Sequence, residues 1–197
     1  MDLQLKDKVA LITGGSKGIG LRTAVCFAQE GCHVAIMARG AEDLESASVQ
    51  IRSHGVNVAA IQGDIADSEQ ASMAIAACID QLGALDILIN NVGGSVGPQK
   101  FMESSAEDWL KTFDLNVHAA VRMTREAVPH MRGRPGAAVV HISSISGWTE
   151  QLAGCGQYGA SKSALIYLTE IMALELAKDG IRVNTVAPGA TETPMIR

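Results

Sequence analysis

The sequence predicts an α/β protein built on one open, doubly wound parallel sheet with helices on both faces. Three observations predict it. Short β-branched, apolar runs alternate with longer amphipathic stretches along the chain. Each run is nearly continuous in apolar residues, the pattern of a strand buried on both faces. The first run leads straight into a glycine-rich turn that opens a helical pattern, as a βαβ unit requires.

Strands are expected over residues 9–13, 34–38, 58–62, 85–90, 138–142 and 182–186. Helices are expected over 18–30, 42–54, 68–82, 109–131 and 158–178. The glycine-rich stretch 92–98 reads as a loop, and 132–136 (Arg-Gly-Arg-Pro-Gly) as a surface turn. No internal repeat or low-complexity tract interrupts this order, so residues 1–197 read as a single domain.

Composition narrows the class. Hydrophobic residues make up 47% and charged residues 19%, ordinary for a globular chain with a sizeable core. A formal net charge of -5 argues against nucleic-acid binding, which needs a basic face. Asp2, Lys6 and Lys8 leave no room for a secretory apolar segment, and no apolar run is long enough for a bilayer. A cytoplasmic protein without membrane partners is expected. Cys26, Cys32, Cys78 and Cys155 are scattered, so reduced thiols in or near the core are expected and a metal site is not.

The chemistry begins at Thr13-Gly14-Gly15-Ser16-Lys17-Gly18-Ile19-Gly20. Glycines there let backbone turn tightly and approach a pyrophosphate, at which the helix starting near Gly18 points its free N–H groups. The second strand ends Met37-Ala38-Arg39, with no acidic residue to hold a ribose 2′-hydroxyl. Two cations, Lys17 and Arg39, and no carboxylate suit a 2′-phosphate instead. Farther on, Tyr158 and Lys162 stand four apart on one helix face. An ammonium beside a phenol lowers its pKa and makes it a usable acid or base. Ser143 and Ser144 end the fifth strand, on the side where open sheets bind ligands. Asn116 is a polar residue locally unfavourable inside a helix.

In order and spacing these motifs resemble the short-chain dehydrogenase/reductase family over about residues 9–193, nearest its 3-oxoacyl-acyl-carrier-protein reductase-like branch. The resemblance rests on TGxxxGxG at 13–20, Asp64-Ile65, Asn90-Asn91-Val92-Gly93, Ser144 three residues before Gly147, Tyr158 and Lys162, and Pro188-Gly189 leading to Thr193. It implies a Rossmann-type sheet of order 3-2-1-4-5-6, without the family's final strand. It further implies a tetrad of Asn116, Ser144, Tyr158 and Lys162, with Ser143 as the competing serine. NADP(H) would be held by Gly14, Ser16, Lys17, Gly18, Ile19, Gly20 and Arg39. Asp64 and Ile65 would meet the adenine. Asn90, Val92 and Gly93, with Val92 where the family has Ala, would support the middle of the cofactor. Tyr158, Lys162, Pro188, Gly189 and Thr191 would hold its nicotinamide end, and Thr193 would touch the pyrophosphate. The implied activity is reduction of a ketone or 3-oxoacyl-type substrate, with Tyr158 as general acid. An oxidative alcohol dehydrogenase, an NAD enzyme and a non-catalytic dinucleotide sensor stay open beside it.

Family members continue past the Thr193 motif with a substrate loop, a helix and a last strand. The lid and much of the substrate pocket are therefore expected to be missing from these residues, as in a fragment or a short variant. What remains for substrate lining is 94–99 and 148–157. The helices 109–131 and 158–178 are apolar on several sides. Leu165, Leu168, Met172 and Leu176 are expected to face the sheet, leaving Ile166, Tyr167, Ile171 and Leu174 for another surface. The resemblance implies that this surface is a homodimer or homotetramer contact; a covering C-terminal segment is the alternative.

Overall fold

A computed structural model describes residues 2–149 and 154–193. Its sheet is parallel throughout, in the order β3-β2-β1-β4-β5-β6. The strands are β1 (Val9–Thr13), β2 (His33–Ala38), β3 (Val58–Gln62), β4 (Ile87–Asn90), β5 (Ala138–Ile142) and β6 (Arg182–Val186). The helices are α1 (Gly18–Gln29), α2 (Ala41–Arg52), α3 (Ser68–Leu82), α4 (Ala106–Phe113), α5 (Ala119–Met131) and α6 (Gly156–Leu176). This is the expected Rossmann-type fold.

The near-continuous apolar strands are explained by two cores. Val9 and Leu11 of β1 turn to a core with Ile75 of α3 and Met123 of α5, while Ala10 and Ile12 turn to one with Ala24 of α1 and Leu44 of α2. Every residue of β1 is buried. Strand order reverses at β1, which pairs with β2 on one side and β4 on the other. A doubly wound sheet opens its crevice at the carboxyl ends of the strands flanking that point.

Two expected elements differ. Residues 85 and 86 lie outside β4, because Asp86 turns its carboxylate back to the Val9 N–H (2.9 Å) and to Arg134 Nε (2.8 Å). The helix expected over 109–131 is three pieces. α4 starts earlier, at a capping box in which Ser105 and Asp108 satisfy one another's backbone N–H. A π-helical turn, Asp114–His118, then separates α4 from α5. The extra residue in that turn frees the Thr112 carbonyl to accept from Asn116 Nδ2 at 3.0 Å.

On α6, Leu165 is buried and Met172 and Leu176 pack on the core, whereas Tyr167 and Leu174 are exposed. Cys32 and Cys78 are buried, and burial pushes both thiols up to about 12. Cys26 is exposed and Cys155 is partly buried. Among the described residues no helix is long and apolar enough to cross a membrane.

Candidate active site

A cleft of about 590 Å³ opens at the carboxyl ends of β1, β2, β4 and β5. It brings together Gly14, Ser16, Lys17, Gly18, Ile19, Arg39, Asp64, Ile65, Val92, Gly93, Ser144, Tyr158, Lys162, Pro188, Gly189, Thr191 and Thr193. Of the residues expected in the site, Gly20, Asn90 and Asn116 do not line it.

The loop after β1 is shaped to leave backbone exposed. Gly14 and Gly18 have positive φ (65° and 54°), where side chains are strained. A Cβ on Gly20 would collide with the Gly14 carbonyl, so Gly20 acts by letting α1 close on the loop. Helix α1 has no side-chain cap and no acidic residue in its first turn. Its first N–H groups and positive dipole end therefore face the cleft without an acidic side chain of their own helix, which suits a diphosphate.

The asparagine pair after β4 divides its work differently from the expectation. Asn90 is buried, and its Nδ2 donates to Thr124 Oγ1 (3.1 Å) and lies 3.2 Å from His141 Nδ1. The strand pleat turns it into the core, away from the cleft. Asn91 lies in the cleft wall and donates to the carbonyls of Thr13 (2.9 Å) and Gly14 (3.3 Å). It ties the glycine loop to β4. Sequence reasoning missed Asn91, although its neighbour carried the signal.

Beside the carboxyl end of β2 a second correction concerns charge. No acid ends β2, yet α2 folds back over the loop and sets Asp43 Oδ2 2.8 Å from Lys17 Nζ. Arg39 is 3.9 Å from Asp64. The expectation of two cations without a carboxylate fails because Asp43 reaches the cleft from the next helix, outside the strand-end motif. Asp64 also accepts from the Ala66 N–H (3.0 Å), and Gln70 Oε1 accepts from the Asp64 N–H (2.8 Å), so this loop is held from α3.

At the other end, β5 and α6 bring Ser143, Ser144, Tyr158 and Lys162 to the cleft. Ser143 is committed elsewhere, since its hydroxyl donates to the Lys162 carbonyl at 2.9 Å. Ser144 lines the cleft, and its Oγ accepts from the Ser146 N–H at 3.2 Å. Lys162 is buried, donates to the Ile142 carbonyl at 2.8 Å, and lies 5.8 Å from the Tyr158 ring centroid. Burial pulls its ammonium down to about 8. Tyr158 is shifted above its ordinary value by burial, opposed by a hydrogen bond from Ser144, with Cys155 adding to the rise. The expectation that Lys162 lowers the phenol is not met, because desolvation dominates both groups. At neutral pH the Tyr158 phenol is therefore protonated.

Asn116 stands behind this wall. Its Oδ1 accepts from the Gly94 N–H (2.9 Å) and its Nδ2 donates to the Gly94 carbonyl (2.7 Å) and Ser161 Oγ (3.0 Å). A Cβ on Gly93 would lie 2.6 Å from both Asn116 Oδ1 and Lys162 Nζ. Asn116 is thus a positioning residue, joining the loop after β4 to α6.

Of the expected substrate-lining segments, 94–99 lines neither this cleft nor its neighbour. Gln157 is buried, and its Nε2 donates to the Pro98 carbonyl at 2.6 Å, tying that loop down. Trp148, Thr149 and 154–156 line a second cavity of about 450 Å³ beside Phe101. The remainder of the expected 148–157 segment, 150–153, lies outside the described residues.

A family model described as short chain dehydrogenase matches residues 8–197. General stress protein 39 of Bacillus subtilis is 37% identical over 194 residues, spanning 98% of this chain and 67% of that protein. The crystal structure of L-sorbose reductase from Gluconobacter frateurii, complexed with NADPH and L-sorbose, superposes with a TM-score of 0.93 at 38% identity, over 98% of this chain and 73% of that one. An NAD+-bound xylitol dehydrogenase superposes with a TM-score of 0.89 at 30% identity, over 94% of this chain and 71% of that one. The chain thus spans about two thirds to three quarters of the proteins it matches. The chain belongs to the short chain dehydrogenase family.

Proposed function

We propose that the protein is an NADP(H)-dependent carbonyl reductase that reduces a ketone, with Tyr158 as general acid. The observation that carries this reading is a single cleft. An uncapped α1 N-terminus, two cations and the Ser144–Tyr158–Lys162 group all open into it. The residues fit a dinucleotide. Glycine leaves room where a Cβ at 14 or 93 would contact Asn91 Nδ2 (2.9 Å) or Lys162 Nζ (2.6 Å), and the anion-binding helix end lacks an acidic side chain of its own helix. Gly14, Ser16, Gly18 and Ile19 would hold the diphosphate, Lys17 and Arg39 the 2′-phosphate, and Asp64 and Ile65 the adenine. Val92, Gly93, Pro188, Gly189 and Thr191 would hold the nicotinamide half, and Thr193 would touch the diphosphate. The NADPH-bound sorbose reductase supports this assignment.

When bound, the nicotinamide supplies the hydride, and the chain's residues supply position and a proton. Ser144 Oγ donates a hydrogen bond to the substrate oxygen, as does Tyr158 Oη. As negative charge grows on that oxygen, Tyr158 transfers its proton to it. The buried Lys162 ammonium stabilises the phenolate left behind, over a short path of low dielectric. Asn116 keeps the Gly93–Gly94 backbone and α6 in register, so that Lys162 stays beside Tyr158. The work of the site is orientation plus preorganised charge.

A second reading, use of NAD(H), is favoured by Asp43 and Asp64 in the cleft and by the NAD+-bound xylitol dehydrogenase. Titration with NADPH and NADH, read by nicotinamide fluorescence, separates the two. Tighter NADPH binding that Arg39→Asp abolishes supports the proposal; tighter NADH binding overturns its cofactor part. Turnover is then followed as NADPH oxidation on a panel of ketoses and 3-oxoacyl thioesters. Tyr158→Phe is expected to lose roughly 10²–10⁴-fold in turnover with NADPH binding retained. Undiminished turnover in that variant removes Tyr158 from the chemistry. The exposed Tyr167 and Leu174 on α6 support a homodimer or homotetramer, tested by light scattering of wild type against Leu174→Glu.

A further inference from the structure

The adenine end of the cleft holds a carboxylate that the proposed function does not use. Asp43 lies in the first turn of α2, with Oδ2 2.8 Å from Lys17 Nζ. A Cβ at Gly40, just before that helix, would lie 3.0 Å from the same oxygen, so glycine there keeps the approach open. Arg39 lies 3.9 Å from Asp64 and is 82% exposed, free to swing. All four groups line one cleft. Each cation nominated for a 2′-phosphate therefore already faces an acid, and these four side chains sum to no net charge.

We propose, on the reading that the cleft takes NADP(H), that Asp43 is a specificity-determining residue that acts against the 2′-phosphate. It holds the Lys17 ammonium, so a 2′-phosphate gains Lys17 only by displacing a carboxylate at contact distance. Once displaced, Asp43 stays nearby as a like charge and penalises the dianion further. The 2′-hydroxyl of NAD(H) is neutral and meets no such penalty; a carboxylate is an acceptor for it. Arg39, on its longer and looser pairing, carries most of the 2′-phosphate recognition. The result is a shallow preference for NADP(H), held down by one residue on α2 and not by the residue ending β2.

Asp43→Asn keeps the side-chain shape and removes the charge. Because the pair is 57% and 43% exposed, its loss leaves the fold intact; Asp43→Ser, with a good helix-start residue, is the second variant. NADPH and NADH are titrated by nicotinamide fluorescence against wild type, both variants, and each charge-removal change in a Lys17→Gln background. Expected is tighter NADPH binding by about fivefold in both Asp43 variants, with NADH within about twofold. In the Lys17→Gln background the same gain shrinks to under about threefold, because the ammonium that Asp43 would release is gone. Unchanged or weaker NADPH binding in both variants overturns the proposal and makes Asp43 a residue that orients Lys17. A gain undiminished in Lys17→Gln overturns the claim that Asp43 acts by holding Lys17. If wild type binds neither nucleotide, the reductase reading falls and this inference with it. If wild type binds NADPH and the Asp43 variants match it, only this inference falls.

Discussion

Asn116 and Gly94 are joined twice, the carboxamide oxygen accepting from the Gly94 N–H at 2.9 Å and the amide nitrogen donating to the Gly94 carbonyl at 2.7 Å. This is how a side chain stands in for a neighbouring strand. The loop leaving β4 has no ladder partner there, and its part-buried backbone groups need bonds. The same nitrogen also serves Thr112 O and Ser161 Oγ, so one residue binds the loop, the π turn and α6 together.

Asn116→Ala therefore leaves the part-buried Gly94 N–H and carbonyl and the buried Thr112 carbonyl without these bonds. The expected loss of stability in urea is about 2–3 kcal/mol, the cost of unmade buried hydrogen bonds. NADPH affinity and kcat fall together, since the loop they share is released. A loss under about 1 kcal/mol would show that these bonds do not hold the loop.

Gly93 and Gly94 are adjacent yet should respond oppositely to alanine. A Cβ at 93 meets Lys162 Nζ and Asn116 Oδ1 at 2.6 Å, and moving Nζ aside breaks its 2.8 Å bond to the Ile142 carbonyl. A Cβ at 94 meets only Leu115 Cδ2, at 3.8 Å. Gly93→Ala is expected to lower kcat by at least about tenfold, as expected when a preorganised charge is displaced. Gly94→Ala should stay within about threefold of wild type, inside the range of neutral substitutions. Equal kcat values in the two variants would mean that the position of Lys162 does not govern the reaction.

How much of this was legible in the sequence depends on whether the signal was local. The strands and their parallel sheet followed from apolar runs alternating with helices, because strands buried on both faces announce themselves, whereas their order followed from the family resemblance. The glycine loop, Tyr158 and Lys162 followed from spacing along single elements, and Ser144 from the family resemblance. Asp43 did not, since its contact with Lys17 depends on how α2 folds back after Gly40. The π turn was invisible because α-helical periodicity on either side of it is intact. Asn90 and Asn91 are neighbours of the same type, and only the strand's pleat decides which faces the core. Ser143 and Ser144 posed the same problem, resolved by the Ser143 bond to Lys162 O.

Lys162 makes the site costly to fold. Burial lowers its pKa from 10.5 to about 8, so at neutral pH the charged form is carried at a loss. Between pH 8 and 10.5 the unfolded chain holds a proton that the folded chain has released, so stability rises with pH there. Relative to Lys162→Met, wild type should gain about 3 kcal/mol between pH 7 and 10.5. Turnover is lost in the variant at every pH. Parallel stability curves for the two proteins across that range would refute the burial argument.

His141 sets the acid limit of the same wall. It is buried in β5, its Nδ1 is 3.2 Å from Asn90 Nδ2, and Nε2 has no hydrogen-bond partner. Thr185 Oγ1 donates to its carbonyl, which fixes the strand but leaves the ring unaided. Burial first, and the Lys162 charge second, lower its pKa from 6.5 to about 4. Below pH 6.5 the unfolded histidine takes up a proton that the folded one refuses. The contribution is thus complete above pH 6.5 and is lost as pH falls toward 4. Urea unfolding at pH 7.5 and 4.5 should show wild type losing about 2–3 kcal/mol more than His141→Asn over that interval. The shifted carboxylates Asp67, Asp108 and Asp114 also weaken the fold in acid, but they do so equally in both proteins and cancel from the comparison. An identical loss in the two proteins would mean that water or a rotated ring stabilises the protonated imidazole. In that case the neighbouring Lys162 could not owe its own shift to a dry wall.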